Sequence, residues 1–322
     1  MTAHPNLSPD TMPGASVPAW IAADWGTSQL RLWVMDREDT VIDRITSDRG
    51  MSRLSPQDYE PTLLDLLGDH LPTGENSPLP VICCGMAGSR QGWAEAPYAS
   101  APCPPPGIAE ATQPATKDPR LAVYLLPGIK TTDPADVMRG EETQIAGYLA
   151  QDRDPAATQV ICLPGTHSKW ARLDHGEVTS FSTFMTGELF ALLQGQSVLQ
   201  HCVSEEGWDE TAFEQAVREA LANPAAIAAQ LFRLRADALL SGQSPETGRA
   251  RLSGLLIGVE LAATQDDWSG QHVTLLGADQ LARRYETALS TQGCTARRVD
   301  AETLTLAGLT AAYDQLKKSQ TP

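Results

Sequence analysis

The chain has 322 residues, 42% hydrophobic and 20% charged, and its 40 Asp and Glu against 24 Lys and Arg leave a formal charge of −16. Such a length accommodates about two domains of roughly 150 residues, with a core that needs no staples. The negative surplus excludes a general coating role on polyanions, while leaving room for a local basic cleft for a small anion.

Residues 1–18 hold four prolines among small polar residues and are expected to be a mobile tail. No basic segment followed by an apolar one opens the chain, and no stretch approaches the roughly 18 apolar residues that span a bilayer, so the expectation is a soluble, cytoplasmic protein. Residues 20–24 read as a strand ending in an acid, Trp25-Gly26-Thr27-Ser28 as a turn, and residues 29–34 as a returning strand with Leu30, Leu32 and Val34 on one face. A third strand is predicted at 40–46, a helix at 56–67 and a buried strand at 80–84 that runs into Gly85-Met86-Ala87-Gly88-Ser89. Pro97, Pro102, Pro104, Pro105, Pro106 and Pro114 make 96–117 a loop-rich insertion without regular structure. A strand follows at 121–126, and Gly140 precedes a helix at 141–151 with Ile145 and Leu149 at i, i+4 spacing.

After an expected linker at 152–157 the pattern repeats: a strand at 159–163, the turn Pro164-Gly165-Thr166-His167, and strands at 168–173 and 177–183. The remainder reads as helices at 187–203, 211–222, 224–240, 246–263 and 301–318, interrupted by a strand at 272–276 that ends in Gly277-Ala278. Strands followed by helices in each half argue for an α/β chain of two lobes around a central cleft. The six cysteines (Cys83, Cys84, Cys103, Cys162, Cys202 and Cys294) have neither C-x-x-C spacing nor regularly spaced histidine partners, which points to reduced, mostly buried thiols rather than zinc ligands.

Three features carry chemistry. In Asp24-Trp25-Gly26-Thr27-Ser28, a glycine lets backbone N–H groups approach phosphate oxygens, the hydroxyls add donors, and Asp24 can hold a hydrated Mg²⁺. Alone, such a pentapeptide is more often an Asx-type turn; the second copy, Gly165-Thr166-His167-Ser168-Lys169, raises its significance. Lys169 would add a point charge or be a solvated strand residue, and His167 a ligand or a locally bonded turn residue. Arg139-Gly140-Glu141-Glu142-Thr143-Gln144 opens a helix, where acids are favoured by the dipole, yet a carboxylate there could also accept the proton of an attacking hydroxyl.

DWGTS, CCGMAGSRQGW, PGIKTTDPADVMRGEETQIAG, CLPGTHSKW and FSTFMTGELFALL, in this order, resemble the 2-dehydro-3-deoxygalactonokinase family of the acetate and sugar kinase, heat-shock chaperone and actin superfamily, over residue 20 to about 316. The resemblance implies two ribonuclease-H-like lobes, an amino-terminal sugar-acid lobe at 19–147 and a nucleotide lobe at 148–322, closing on ATP and Mg²⁺. It implies transfer of the γ-phosphoryl group to the 6-hydroxyl of 2-dehydro-3-deoxy-D-galactonate in galactonate catabolism. By motif position, Asp24, Gly26, Thr27 and Ser28 are the first phosphate element and Gly165, Thr166, His167 and Ser168 the second. Gly277-Ala278 falls where the superfamily has a Gly-Gly pair against adenosine. The catalytic acid falls at Glu141-Glu142, with Glu142 favoured.

The substrate's carboxylate needs a donor, for which Arg90, Arg139 and the backbone around Gly50-Met51 are the candidates, all expected in the amino-terminal lobe. Gly88, Trp93 and Tyr98 are expected near the same pocket, and Glu188 is a first-turn acid that can act as a dipole partner alone. The expected partner is a small-molecule sugar acid, with neither nucleic acid nor membrane; homodimerisation is left open. Alternatives are a kinase for the gluconate-type sugar acid, a phosphatase or a nucleotide sensor on the same fold. A chaperone would require a peptide-binding domain, for which 322 residues leave no room after two lobes, and no helix-turn-helix extension is read before Trp20, which disfavours a repressor.

Overall fold

The structure, a computed structural model, describes residues 17–73, 78–151 and 158–320; most of the expected tail and the expected linker at 152–157 lie outside the described residues. In chain order, β1 (Trp20–Trp25), β2 (Leu30–Met35) and β3 (Val41–Ser47) precede α1 (Tyr59–Leu67) and β4 (Leu79–Gly85). Then come β5 (Tyr98–Ser100), β6 (Leu121–Leu125), β7 (Gly128–Thr132), β8 (Ala135–Met138) and α2 (Glu141–Gln151). The following segment holds β9 (Gln159–Leu163), β10 (Ser168–Asp174), β11 (Glu177–Phe184), α3 (Thr186–Gln196), α4 (Glu210–Ala222) and α5 (Ile227–Leu240). It ends with α6 (Pro245–Ala263), α7 (Gln265–Trp268), β12 (His272–Gly277), α8 (Asp279–Ser290), β13 (Thr295–Asp300) and α9 (Ala301–Gln320).

Contacts divide the chain into two units, one of Met1–Glu95 and Gln113–Leu125, the other of Ala96–Thr112 and Leu126–Pro322. The first is built on a five-stranded sheet in the order β3-β2-β1-β4-β6, with β1 to β3 antiparallel and β4 and β6 parallel to β1. Trp20, Ile21, Ala22, Ala23 and Trp25 are fully buried, which is why the central strand β1 reads as a continuous apolar run whereas the edge strand β3 alternates. The second unit repeats the order as β11-β10-β9-β12-β13, again three antiparallel strands continued by two parallel ones. Both sheets therefore have the ribonuclease-H-like arrangement that the resemblance implies.

The second unit also holds a small sheet, β5-β7-β8, whose first strand lies in the stretch expected to be a loop without regular structure and whose other two fall where no element was predicted. Ile129 and Met138 of that sheet join Ile145 and Tyr148 of α2, Ile161, Leu163, Ala171, Leu276 and Leu304 in one core. Helices α2 and α9 approach until a Cβ on Gly147 would stand 1.9 Å from the Leu304 carbonyl oxygen and one on Gly308 2.0 Å from that of Thr143. By contacts, β7, β8, Arg139 and α2 group with the second unit. Helix α8 and strand β13 are likewise additions to the expected elements.

All six cysteines are free, and five are buried. Burial pushes the Cys83 and Cys162 thiols upward, which makes them poor nucleophiles. Among the described residues, no helix is long and apolar enough to cross a membrane.

Candidate active site

Register places Asp24 opposite Arg31 across the first hairpin. The Arg31 guanidinium donates to Asp24 Oδ2 and pairs with it, the Asp24 side chain being 12% exposed. At the tip the Gly26 N–H donates to the Gln29 carbonyl (2.8 Å), and Thr27 and Ser28 are exposed. Gly50 lies directly behind the tip: a Cβ there would stand 2.3 Å from the Ser28 carbonyl carbon and 2.4 Å from the Thr27 oxygen. The Met51 N–H donates to Gly26 O (3.0 Å) and the Ser52 N–H to Thr27 O (2.9 Å). The Gly50-Met51 segment thus buttresses the hairpin, and the Met51 N–H is not available to a substrate carboxylate as expected.

In the loop after β4, Gly88 is buried and Arg90 is exposed. No hydrogen bond or ion pair joins the Arg90 side chain to another described residue. Trp93 stacks on Tyr59 (ring centroids 5.8 Å apart, 21° between planes), and Tyr59 packs on Trp25 (4.6 Å), so Trp93 is part of an aromatic cluster of the first unit.

The start of α2 separates the two acids. The Gly140 N–H donates to both oxygens of Glu142 (2.9 and 2.7 Å), and Thr143 Oγ1 donates to Glu142 Oε1 (3.3 Å). Glu142 is 1% exposed, and burial, reinforced by the Glu141 carboxylate, pushes its pKa up to about 8. Burial thus favours its protonated form, and the carboxyl is turned back on its own helix, both of which argue against it as a proton acceptor. Glu141 is 24% exposed, accepts the Arg139 N–H at Oε2 (3.0 Å) and pairs through Oε1 with Lys169 Nζ (3.4 Å). Of the two acids, Glu141 is the one that leaves its carboxylate partly exposed. Arg139 is firmly held: Nη2 donates to Ala96 O (2.8 Å), Nε to the Tyr98 hydroxyl (3.3 Å), and its guanidinium lies 4.2 Å from the Tyr98 ring centroid.

At the second tip Thr166 and His167 are exposed and Gly165 half-buried. The first turn of α3 is docked on it: the Glu188 N–H donates to Thr166 O (2.9 Å), and a Cβ on Gly187 would stand 2.3 Å from Gly165 O. His167 Nε2 lies 2.6 Å from Glu188 Oε2, so Glu188 is more than a dipole partner. Lys169 is not a solvated strand residue but 4% exposed. Ser168 departs from expectation, since it is fully buried and donates to Glu260 Oε2 (2.7 Å), facing the core rather than a phosphate.

Glu260, on α6, was missed by sequence reasoning, although an acid inside the apolar run Leu255-Leu256-Ile257-Gly258-Val259-Glu260-Leu261-Ala262 was the available signal. It is 1% exposed and also accepts from Trp170 Nε1 (2.7 Å), the Tyr285 hydroxyl (2.8 Å) and Thr186 Oγ1. Burial raises its pKa against the pull of these donors.

Beside this network lies a cavity of about 300 Å³, lined by the tip residues Gly165 and Thr166, by Thr186, Gly187 and Phe190 of α3, and by residues of α6 and α8 that include Leu256, Ile257, Leu281, Arg284 and Tyr285. Its apolar walls and few polar groups have the character of a small-molecule site. Gly277 and Ala278 are not among its lining residues; Gly277 instead packs 3.3 Å from Pro164 Cδ at the base of the tip, measured from the Cβ it lacks. Among the described residues no group of three or more His, Cys, Asp or Glu side chains could hold a metal ion by itself.

These features can be set beside known proteins. Residues 24–312 match the family model described as 2-keto-3-deoxy-galactonokinase. The chain is 41% identical over 301 residues to "Probable 2-dehydro-3-deoxygalactonokinase DgoK1" of Rhizobium meliloti (strain 1021), covering 91% of this chain and 96% of the relative. It is 33% identical over 293 residues to the 2-dehydro-3-deoxygalactonokinase of Escherichia coli (strain K12), covering 90% and 96%. A crystal structure of a "putative 2-dehydro-3-deoxygalactonokinase protein from Sinorhizobium meliloti" superposes with a TM-score of 0.83 at 40% identity, covering 92% of this chain and 99% of that one. With the family model spanning both hairpin tips and the acids of α2, this chain belongs to the 2-keto-3-deoxy-galactonokinase family, whose members are sugar-acid kinases.

Proposed function

We propose that the protein transfers the γ-phosphoryl group of ATP to the 6-hydroxyl of 2-dehydro-3-deoxy-D-galactonate, in the cytoplasm. The observation that carries this reading is the family match, continuous from Asp24 to beyond the second tip and α8. Each unit carries candidate groups of its own. In the second, the cavity next to Gly165 and Thr166 suits a nucleoside, and the tip's backbone offers donors for phosphate oxygens. In the first, the exposed Thr27 and Ser28 hydroxyls offer further donors.

Asp24 would hold Mg²⁺. A partly exposed carboxylate fits this role, because Mg²⁺ in phosphoryl-transfer sites takes one or two protein carboxylates together with substrate phosphates. Bound there, the ion supplies charge neutralisation on the phosphates.

Glu141 is the proposed proton acceptor. The substrate 6-hydroxyl oxygen forms the new bond to the γ-phosphorus, the bond to the oxygen bridging the β-phosphate breaks, ADP leaves, and the hydroxyl proton passes to Glu141. Lys169 and the Arg139 N–H fix that carboxylate. Phosphoryl transfer asks mainly for such positioning and electrostatics. Arg90, with no described partner, is the proposed contact for the sugar acid's carboxylate. Arg139 acts by anchoring the Ala96–Tyr98 segment.

A coupled ADP-release assay with ATP and a panel of 2-dehydro-3-deoxy sugar acids tests the reading. The galactonate-derived acid should give the highest kcat/KM; preference for the gluconate-derived epimer, or ATP hydrolysis without an acceptor, would overturn it.

A further inference from the structure

A carboxylate in the middle of an apolar helix is costly to bury, and a hydrophobic side chain of similar size would serve stability as well or better. Glu260 is nevertheless 1% exposed on α6, and the four groups it accepts from sit on three other elements. Ser168 and Trp170 belong to β10, Thr186 to α3 and Tyr285 to α8.

The places of those donors give the network a direction. Ser168 follows the second tip directly in sequence. Thr186 precedes Gly187, whose backbone abuts Gly165 so closely that no Cβ fits. Thr186 and Tyr285 themselves line the cavity beside that tip. A single carboxylate thus ties together the strand leaving the tip, the helix turn docked on it and the far wall of the cavity. Helix α2, which carries Glu141, contributes none of the donors.

We infer that Glu260 is a positioning residue for the nucleotide, holding the second phosphate tip and the α3 and α8 walls of the cavity in register so that nucleoside and phosphates are engaged together. The inference rests on the proposed reading of the cavity as the nucleoside site. Ser168, expected at the phosphates, acts on this view by fastening the tip to Glu260.

The test uses the full-length protein and the variants Glu260→Gln, Thr186→Val and Tyr285→Phe; the last two each remove one hydroxyl and retain the carboxylate. Calorimetric titration with ADP is combined with steady-state kinetics in which ATP and the sugar acid are varied separately. Glu260→Gln should raise the ADP Kd and the ATP KM by about tenfold or more, with the single-donor variants showing smaller rises, because a displaced binding wall loses oriented contacts. The sugar-acid KM should stay within about twofold. Unchanged ADP affinity in folded Glu260→Gln, or a parallel rise in both KM values with lowered thermal stability, would overturn the inference. If Glu260→Gln does not fold, Thr186→Val and Tyr285→Phe decide in the same way. Failure of the wild-type protein to bind ADP would remove the nucleotide reading itself, and the inference with it; binding by wild type and variants alike removes the inference alone.

Discussion

Replacing Glu142 by glutamine should change stability in a pH-dependent manner while leaving turnover nearly intact. The folded protein holds this carboxyl at about 8 against an ordinary 4.5. A group whose folded pKa is raised favours the folded state in its protonated form. Its contribution is fully present below about 4.5 and is lost as pH rises through about 8. Carrying a carboxyl over that interval corresponds to at most about 5 kcal/mol. The amide introduced by Glu142→Gln cannot ionise, keeps an oxygen for the Gly140 N–H, and lacks this slope. Urea unfolding of both proteins at pH 5, 7 and 9 should therefore show the variant gaining on the wild type as pH rises. In parallel assays, kcat of Glu142→Gln should stay within about threefold, whereas Glu141→Gln should lose about a hundredfold, with the ATP KM little changed. Parallel stability curves would show that Glu142 titrates as an ordinary carboxylate and would remove the reason for setting it aside. A large kcat loss in Glu142→Gln with a small one in Glu141→Gln would return the proton to Glu142.

Asp24→Asn should lower turnover about a hundredfold with the fold retained, and the loss should be most severe at limiting Mg²⁺, as a Mg²⁺ titration of activity would show. Gly50→Ala places a Cβ 2.3 Å from the Ser28 backbone; thermal unfolding should register a loss of about 1–3 kcal/mol and kinetics a raised ATP KM, since the tip must move. Arg90→Ala should raise the sugar-acid KM by about thirtyfold at saturating ATP, corresponding to about 2 kcal/mol, with kcat held. Arg139→Ala should chiefly lower the melting temperature, because it frees the Ala96–Tyr98 segment.

Much of the fold is legible because the two hairpins announce themselves locally: apolar strands such as Trp20–Trp25 and Gln159–Leu163 run into Gly-Thr turns, while the ribonuclease-H-like architecture follows from the family resemblance. The sheet of β5, β7 and β8 was not, since its short strands are interleaved with prolines and exposed polar residues, and only Ile129 and Met138 reach a core. Both hairpin tips and both acids at the start of α2 are legible in the sequence. The sequence could not tell that Ser168 turns inward, or that Glu142 rather than Glu141 is buried. Adjacent residues on a helix point about 100° apart, and which direction meets the core depends on the packing of α9 and the neighbouring strands.

The central claim, phosphoryl transfer to the 6-hydroxyl, is tested most directly by proton-coupled phosphorus NMR of the product formed from ATP and 2-dehydro-3-deoxy-D-galactonate. Carbon 6 bears two hydrogens, so the predicted phosphomonoester gives a resonance split by two protons, accompanied by the signals of ADP. A resonance split by one proton would place the phosphate on a secondary hydroxyl, and inorganic phosphate as the sole new signal would mean hydrolysis; either would contradict the account.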